Sequence, residues 1–187
     1  MATDVRTLAD VERAVRSLCR HFRTDHVILI GSQAALLEWP DAPIIVRTSG
    51  EIDAYPGNIR EWEDRNREPA SEEINALFGW GSTFHEQFGF YIDGVDDRTA
   101  KLPPDWRAEA VTRTILDEAG ELTAVAPSAR DLIVSKLHRL TDKDKDFIAA
   151  FHAERPLDID DLLARLAECR PDASVLAGAR AFLASLT

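Results

Sequence analysis

The sequence predicts an α/β (α+β) fold: a mixed β-sheet with flanking helices, completed by a helical C-terminal part. Three observations predict it. The run HVILIG (His26 to Gly31) is continuously apolar and rich in β-branched residues, and it stops at glycine, the pattern of a strand buried on both faces. Further extended stretches, GFYIDGV (89–95) and the pair VTRTILDE and ELTAVAP, recur between polar or helical segments. From Ser128 onward the pattern is helical in four successive segments.

Taken in order, Leu8, Val11, Val15, Leu18 and Phe22 recur at helical spacing. Asp10 and Glu12 lie near the front and Arg20 and Arg23 near the back, as the helix dipole prefers. The strand HVILIG follows. SQAALLEW then offers a capping-type serine and good helix formers up to Pro40, which predicts a helix over 32–39. Ile44, Ile45 and Val46 lead towards Glu51–Ala54 and the Pro56-Gly57 breaker, predicting an extended stretch over 43–55. The polar residues 57–70 read as a loop, Ser71 to Phe78 as a short helix, and 89–95 as a strand. After the Leu102-Pro103-Pro104 turn come two hairpin strands separated by Ala119-Gly120. The helical segments are SARDLIVSKLHRL, DKDKDFIAAFHAE, LDIDDLLARLAECR and ASVLAGARAFLASL. A composition shift near Pro127 divides an α/β core (1–127) from a helical C-terminal region (128–187).

Composition narrows the function classes. A chain of 187 residues can bury one real core, and 45% hydrophobic with 29% charged residues is globular usage. The formal net charge of −11 repels phosphate backbones and anionic lipid, so any contact with nucleic acid must come from a local basic patch. The opening residues carry no basic stretch followed by an apolar one, and no apolar run approaches about 18 residues, so a cytoplasmic protein that avoids membranes is expected. Cys19 and Cys169, each inside a helical pattern, form neither a CxxC pair nor a disulfide framework. The five histidines show no zinc-binding spacing, and no GxSxG elbow surrounds Ser32. His138, two residues from Lys136, is expected to point away from it on a helix. The four tryptophans fit core or rim packing better than base stacking, although Trp62 and Trp80 fall in segments that could border a nucleotide pocket.

Glu51 and Asp53 alternate on a strand and therefore share a face. Two like charges so close raise each other's proton affinity unless a cation or a basic group stands by, and paired carboxylates are what Mg²⁺ needs in phosphoryl or nucleotidyl transfer. Gly31-Ser32, at the end of the preceding strand, supplies backbone N–H groups and a hydroxyl suited to phosphates. A similar tripeptide, Asp158-Ile159-Asp160, follows Pro156 and precedes LLARLAECR, so it reads as a helix start. Residues two apart on a helix diverge by roughly 200° and cannot chelate one ion.

Several motifs in order, IGSQAALL, RTSGEID, GFYIDGV with LPPDW, and APSARDLIVSKL followed by a KD pair and Phe147, resemble the DUF6036 nucleotidyltransferase-like family. That group is related to the AbiEii and MenT-type toxin nucleotidyltransferases. The resemblance spans roughly residues 26–150 and implies a nucleotidyltransferase fold, Mg²⁺ (or Mn²⁺) as cofactor and a nucleoside triphosphate as substrate. It places Gly31 and Ser32 at the phosphate-binding turn, Glu51 and Asp53 at the paired metal acids, Lys136 at a phosphate-contacting lysine and Asp144 at a later site acid. Arg47 matches an arginine just upstream of the acid pair with a phosphate or structural role, and Asp93 a third strand carboxylate that takes the proton of the attacking hydroxyl. Two departures accompany the match. Glu51 stands where Asp is usual, and Thr141 where an arginine precedes the KD pair, with Arg139 nearby.

The expected reaction is transfer of a nucleoside monophosphate to a hydroxyl of a tRNA 3′ end or a protein, in the toxin of a toxin–antitoxin or phage-defence pair with a cognate partner. Two rivals stay open. One is an antitoxin-type enzyme that AMPylates a partner protein, and the other a non-catalytic nucleotide- or protein-binding module. Plain structural readings also stay open: an exposed helical lysine for Lys136, a solvated first helical turn for Asp144, and a structural acid for Asp93.

Overall fold

The computed structural model describes residues 5–118 and 120–186. Five strands, β1 (His26–Ile30), β2 (Glu51–Pro56), β3 (Tyr91–Gly94), β4 (Val111–Asp117) and β5 (Gly120–Ala126), form one mixed sheet in the order β3-β2-β1-β5-β4. β1 lies at its centre, antiparallel to β2 and parallel to β5. That position explains its composition: Val27 to Ile30 are all buried, so neither face tolerates a polar residue. β2 and β3 run parallel, and β4 and β5 form the expected hairpin, whose turn residue Ala119 lies outside the described residues.

Helix α1 (Leu8–Phe22) starts at a capping box in which Thr7 N–H donates to Asp10 at 2.8 Å and Asp10 N–H to the Thr7 hydroxyl at 3.3 Å. Its buried stripe, Val11, Val15, Leu18 and Phe22, is the one the periodicity picks out, and it packs on β1, β2 and β5. Cys19 is buried in the same stripe, and burial pushes its thiol up to about 12, so it acts as a small hydrophobe.

Four expectations between 32 and 110 need correction or completion. The helix expected over 32–39 is a 3₁₀ helix, Ser32–Leu37, with every residue buried. The segment has six residues to cross under the sheet before Pro40, and the tighter winding covers that span. The extended stretch expected from residue 43 is confined to β2. Ile44–Arg47 instead form a one-turn helix, α2, after Pro43, with Ile44 63% and Ile45 50% exposed and Val46 buried. Proline pre-sets the backbone for a helix start, and here that local effect overrides the β-propensity of Ile and Val. The expected loop 57–70 contains α3 (Ile59–Asn66), supported by a 2.6 Å Arg65–Glu61 pair, and Glu63 accepts from Ala70 N–H at 3.2 Å at the start of the next helix. The helix expected over 71–78 is α4 (Ala70–Phe78), followed by α5 (Thr83–Phe88), and a further 3₁₀ helix spans Trp106–Glu109.

The C-terminal helices α6 (Ala129–Arg139), α7 (Asp142–Glu154), α8 (Ile159–Glu168) and α9 (Ala173–Ala184) match their predicted segments. Asp158 caps α8 by accepting from Asp161 N–H at 3.0 Å, so the second acidic tripeptide is a helix start. One hydrophobic cluster runs from Val11 through the sheet to Leu132, Ile148 and Leu166. α6 is locked in place at its first turn: buried Arg165 of α8 donates twice to buried Asp131, at 2.8 and 3.0 Å, and also meets Asp105 at 2.7 Å and Glu168 at 2.6 Å. This lock sets the direction in which α6 presents its third turn to the sheet. No helix among the described residues is long and apolar enough to cross a membrane.

Candidate active site

The site forms where β1 ends and β2 begins. Their antiparallel register pairs Ile30 with Asp53, so Gly31 and Ser32 continue alongside the acidic end of β2. Gly31 has φ 69° and ψ −168°, a region open essentially to glycine alone, and a Cβ there would collide with Asp53 Oδ2. The Asp53 carboxylate therefore lies against the bare Cα of Gly31. This close approach explains why glycine ends the apolar run.

The two acids of β2 share one face of the sheet. β2 and β3 pair Glu51 with Tyr91 and Asp53 with Asp93, which puts all four on one face, while Ile52, Phe90 and Ile92 are buried. Burial, with Glu51 and Asp93 alongside, pushes the Asp53 carboxyl up to about 7 against the opposing pull of Lys136 and Lys143. Burial and then Glu51 likewise raise Asp93. Among the described residues no hydrogen bond satisfies the Asp53 carboxylate. Lys136 and Lys143 offset its burial only in part.

Opposite the acids, α6 carries Lys136, which is buried, not an exposed helical lysine. Its Nζ donates to Ser32 Oγ at 2.9 Å, lies 3.4 Å from Asp144 Oδ1 and sits 4.3 Å from the centre of the Phe147 ring. Burial lowers its proton affinity, and Asp144 opposes that shift. Asp144 is fully buried and turned away from solvent. It accepts from Arg139 Nε at 2.9 Å, Arg139 Nη2 at 2.8 Å, the Thr141 hydroxyl at 2.7 Å and Thr141 N–H at 3.1 Å. Although burial pushes its carboxyl up, the bonds from Arg139 and Thr141 and the charge of Lys136 hold it well below the usual carboxylate range. Asp144 thus both caps α7 and anchors two cations. Thr141, in the position where an arginine is expected, closes the α7 capping box, while Arg139, the last residue of α6, supplies a guanidinium.

Between these walls lies a cleft of about 450 Å³ whose lining includes Gly31, Ser32, Glu51, Asp53, Lys136, Arg139 and Lys143. Asp93 and Asp144 adjoin it without lining it. Arg47 is also outside that lining: its Nε donates to Ala42 O at 2.7 Å and closes the turn around α2. Three neighbours lie outside the predicted set. Tyr91 donates its hydroxyl to Glu51 Oε2 at 2.6 Å, and Lys143 Nζ lies 3.8 Å from Glu51 Oε1 and 3.5 Å from Ser49 Oγ. His138, expected to point away from Lys136, lines the same cleft; burial and then Lys101 lower its proton affinity.

The family described as nucleotidyltransferase of unknown function (DUF6036) matches residues 6–177. The chain belongs to this family. No curated protein and no solved structure matches it. The five-stranded mixed sheet with flanking helices is consistent with a nucleotidyltransferase-like fold. For a DUF6036 chain the chemistry of the donor set can be tested against a cation. Among the described residues no group of three or more His, Cys, Asp or Glu side chains is arranged to hold a metal ion. Mg²⁺ asks for less: it is commonly bound by one or two carboxylates together with substrate phosphates and water. Glu51 and Asp53, on one strand face and both lining the cleft, fit that demand.

Proposed function

We propose that this chain is a Mg²⁺- or Mn²⁺-dependent nucleotidyltransferase that transfers a nucleoside monophosphate from a nucleoside triphosphate to a hydroxyl acceptor. The observation that carries the reading is buried Lys136, held 2.9 Å from Ser32 Oγ on the Gly-Ser turn, in the cleft that Asp53 also lines. Among the described residues the one close anionic partner of Lys136, Asp144 at 3.4 Å, is shared with Arg139 and Thr141, and a phosphate entering the cleft would supply Lys136 with a second. Lys101, Arg139 and Lys143 line the same cleft, which makes it a local basic patch in a chain of net charge −11.

In this reading Gly31 and Ser32 cradle the triphosphate, Lys136 holds its phosphate oxygens, and Glu51 and Asp53 hold the cation. The cation, when bound, neutralises the triphosphate and lowers the barrier to attack at the α-phosphorus. Asp93, in register with Asp53, takes the proton of the acceptor hydroxyl. A new bond joins the acceptor oxygen to the α-phosphorus, and the bond from that phosphorus to the oxygen bridging to the β-phosphate breaks, releasing pyrophosphate. Asp144 acts from outside the cleft by orienting Lys136 and Arg139.

We further propose a toxin of a toxin–antitoxin or phage-defence pair, with a tRNA 3′ end or a protein hydroxyl as acceptor. The charge of −11 favours the protein acceptor, and with it the reading as an antitoxin-type enzyme that AMPylates a partner protein. Each labelled nucleoside triphosphate, incubated with Mg²⁺, total RNA and total protein, tests the reaction. Label on RNA or protein that disappears with Asp53→Asn supports transfer, and the labelled fraction names the acceptor class. No label on either fraction would leave a nucleotide-binding module in place of an enzyme.

A further inference from the structure

The two acids of β2 are held in different ways. Asp53 is fixed by packing, because its carboxylate lies against Gly31. Glu51 has one more rotatable bond and no such wall. What meets it is the phenol of Tyr91, its register partner on β3, whose hydroxyl donates to Oε2 at 2.6 Å. The other oxygen, Oε1, faces Lys143 Nζ at 3.8 Å, beyond hydrogen-bond range.

The phenol is itself braced. Trp80 stands edge-on to it at 5.6 Å and 85°, and His85 at 5.5 Å and 75°, with Trp80 and His85 in mutual contact at 4.4 Å. Trp80 is 76% exposed in the turn between α4 and α5, so its ring adds little to the core. Its contacts are directed at His85 and at the ring that holds Glu51.

We propose that Tyr91 is a positioning residue for the metal-binding acids: its hydrogen bond engages Glu51 Oε2 and so disfavours binding of a cation through both oxygens, favouring Oε1 alone. The inference rests on Glu51 and Asp53 being the metal ligands. A carboxylate limited to one oxygen suits a small octahedral cation such as Mg²⁺ or Mn²⁺, whereas Ca²⁺ readily takes both oxygens of a carboxylate. Tyr91 therefore selects between cations without touching one.

The experiment is a titration of the full chain with Mn²⁺ and with Ca²⁺, each alone and without nucleotide, followed by calorimetry or by the Mn²⁺ resonance signal. Tyr91→Phe keeps the ring and its aromatic neighbours, and an unchanged thermal midpoint shows that the fold is intact. The expected result is a loss of about fivefold to tenfold in preference for Mn²⁺ over Ca²⁺, the size of one ordinary intramolecular hydrogen bond. In a Glu51→Asp background, where the shorter side chain does not reach the phenol, Tyr91→Phe changes the preference by less than about twofold. An unchanged preference in Tyr91→Phe, or the same change in both backgrounds, overturns the inference. Asp53→Asn separates this failure from that of the reading beneath it: if wild type binds no Mn²⁺, or if Asp53→Asn binds as wild type does, the metal pair itself is wrong and the inference falls with it.

Discussion

Replacing Asp53 by Asn removes a charge that the fold carries at a cost. In the unfolded chain the carboxyl ionises near its ordinary 3.8; in the folded protein burial, Glu51 and Asp93 push it up to about 7. Between those values the unfolded state releases a proton that the folded state retains, so rising pH favours unfolding until the folded carboxyl also ionises. The penalty is absent below pH 3.8, grows to about pH 7 and is constant above it. At about 1.4 kcal/mol per pH unit the gap sets a ceiling of about 4 kcal/mol. Solvent at the partly exposed carboxylate and local relaxation reduce this to about 2 kcal/mol. Asp53→Asn, which cannot ionise, should therefore unfold about 2 kcal/mol harder than wild type at pH 8, and within about 0.5 kcal/mol of it near pH 4. For a chain of this size that is roughly 4–8 °C in thermal midpoint at pH 8. Urea denaturation at both pH values with chelator present measures it. Equal shifts at the two pH values, or a less stable variant at pH 8, would refute the electrostatic account of the acid cluster.

Other substitutions probe the remaining parts. Gly31→Ala forces a side chain into a glycine-only backbone region and into Asp53 Oδ2, so denaturant titration should show a loss of at least about 2 kcal/mol. Lys136→Met keeps the bulk of the buried stem while Arg139 and Thr141 continue to hold Asp144. It should cost no more than about 2 kcal/mol in stability yet weaken nucleoside triphosphate binding at least about tenfold by equilibrium dialysis. Arg165→Met strips fully buried Asp131 of both its guanidinium bonds, and a loss of about 3–5 kcal/mol in urea denaturation at pH 7 is expected.

Much of the site was legible because it depends on local pattern. Strand parity puts Glu51 and Asp53 on one face whatever the sheet order, and the stop at Gly31 marks the end of the buried strand, whereas the contact of Gly31 with Asp53 is visible only in the fold. The helices with clear caps and apolar periodicity, α1 and α6 to α9, follow from sequence for the same reason. What escaped depends on tertiary context. Ile44-Ile45-Val46 looks like a strand, yet Pro43 and the position of Val46 under the surface decide for a helical turn. Charged α3 has too few apolar residues to announce itself by periodicity. Within DKDKDF, Lys143 and Asp144 are neighbours in sequence but point about 100° apart on α7, so Lys143 lines the cleft while Asp144 is buried. Tyr91 meets Glu51 only because β3 pairs with β2, and no local pattern announces which strands are neighbours.

The most direct test of a phosphate-binding cleft built from the Gly-Ser turn, Lys136 and the β2 acids is equilibrium binding of labelled nucleoside triphosphates with and without Mg²⁺. Wild type should bind at least one of them at least about tenfold more tightly with Mg²⁺ than without, and Asp53→Asn should lose that dependence while remaining folded. Binding that is equal with and without Mg²⁺, or that survives unchanged in both Asp53→Asn and Lys136→Met, would contradict the account.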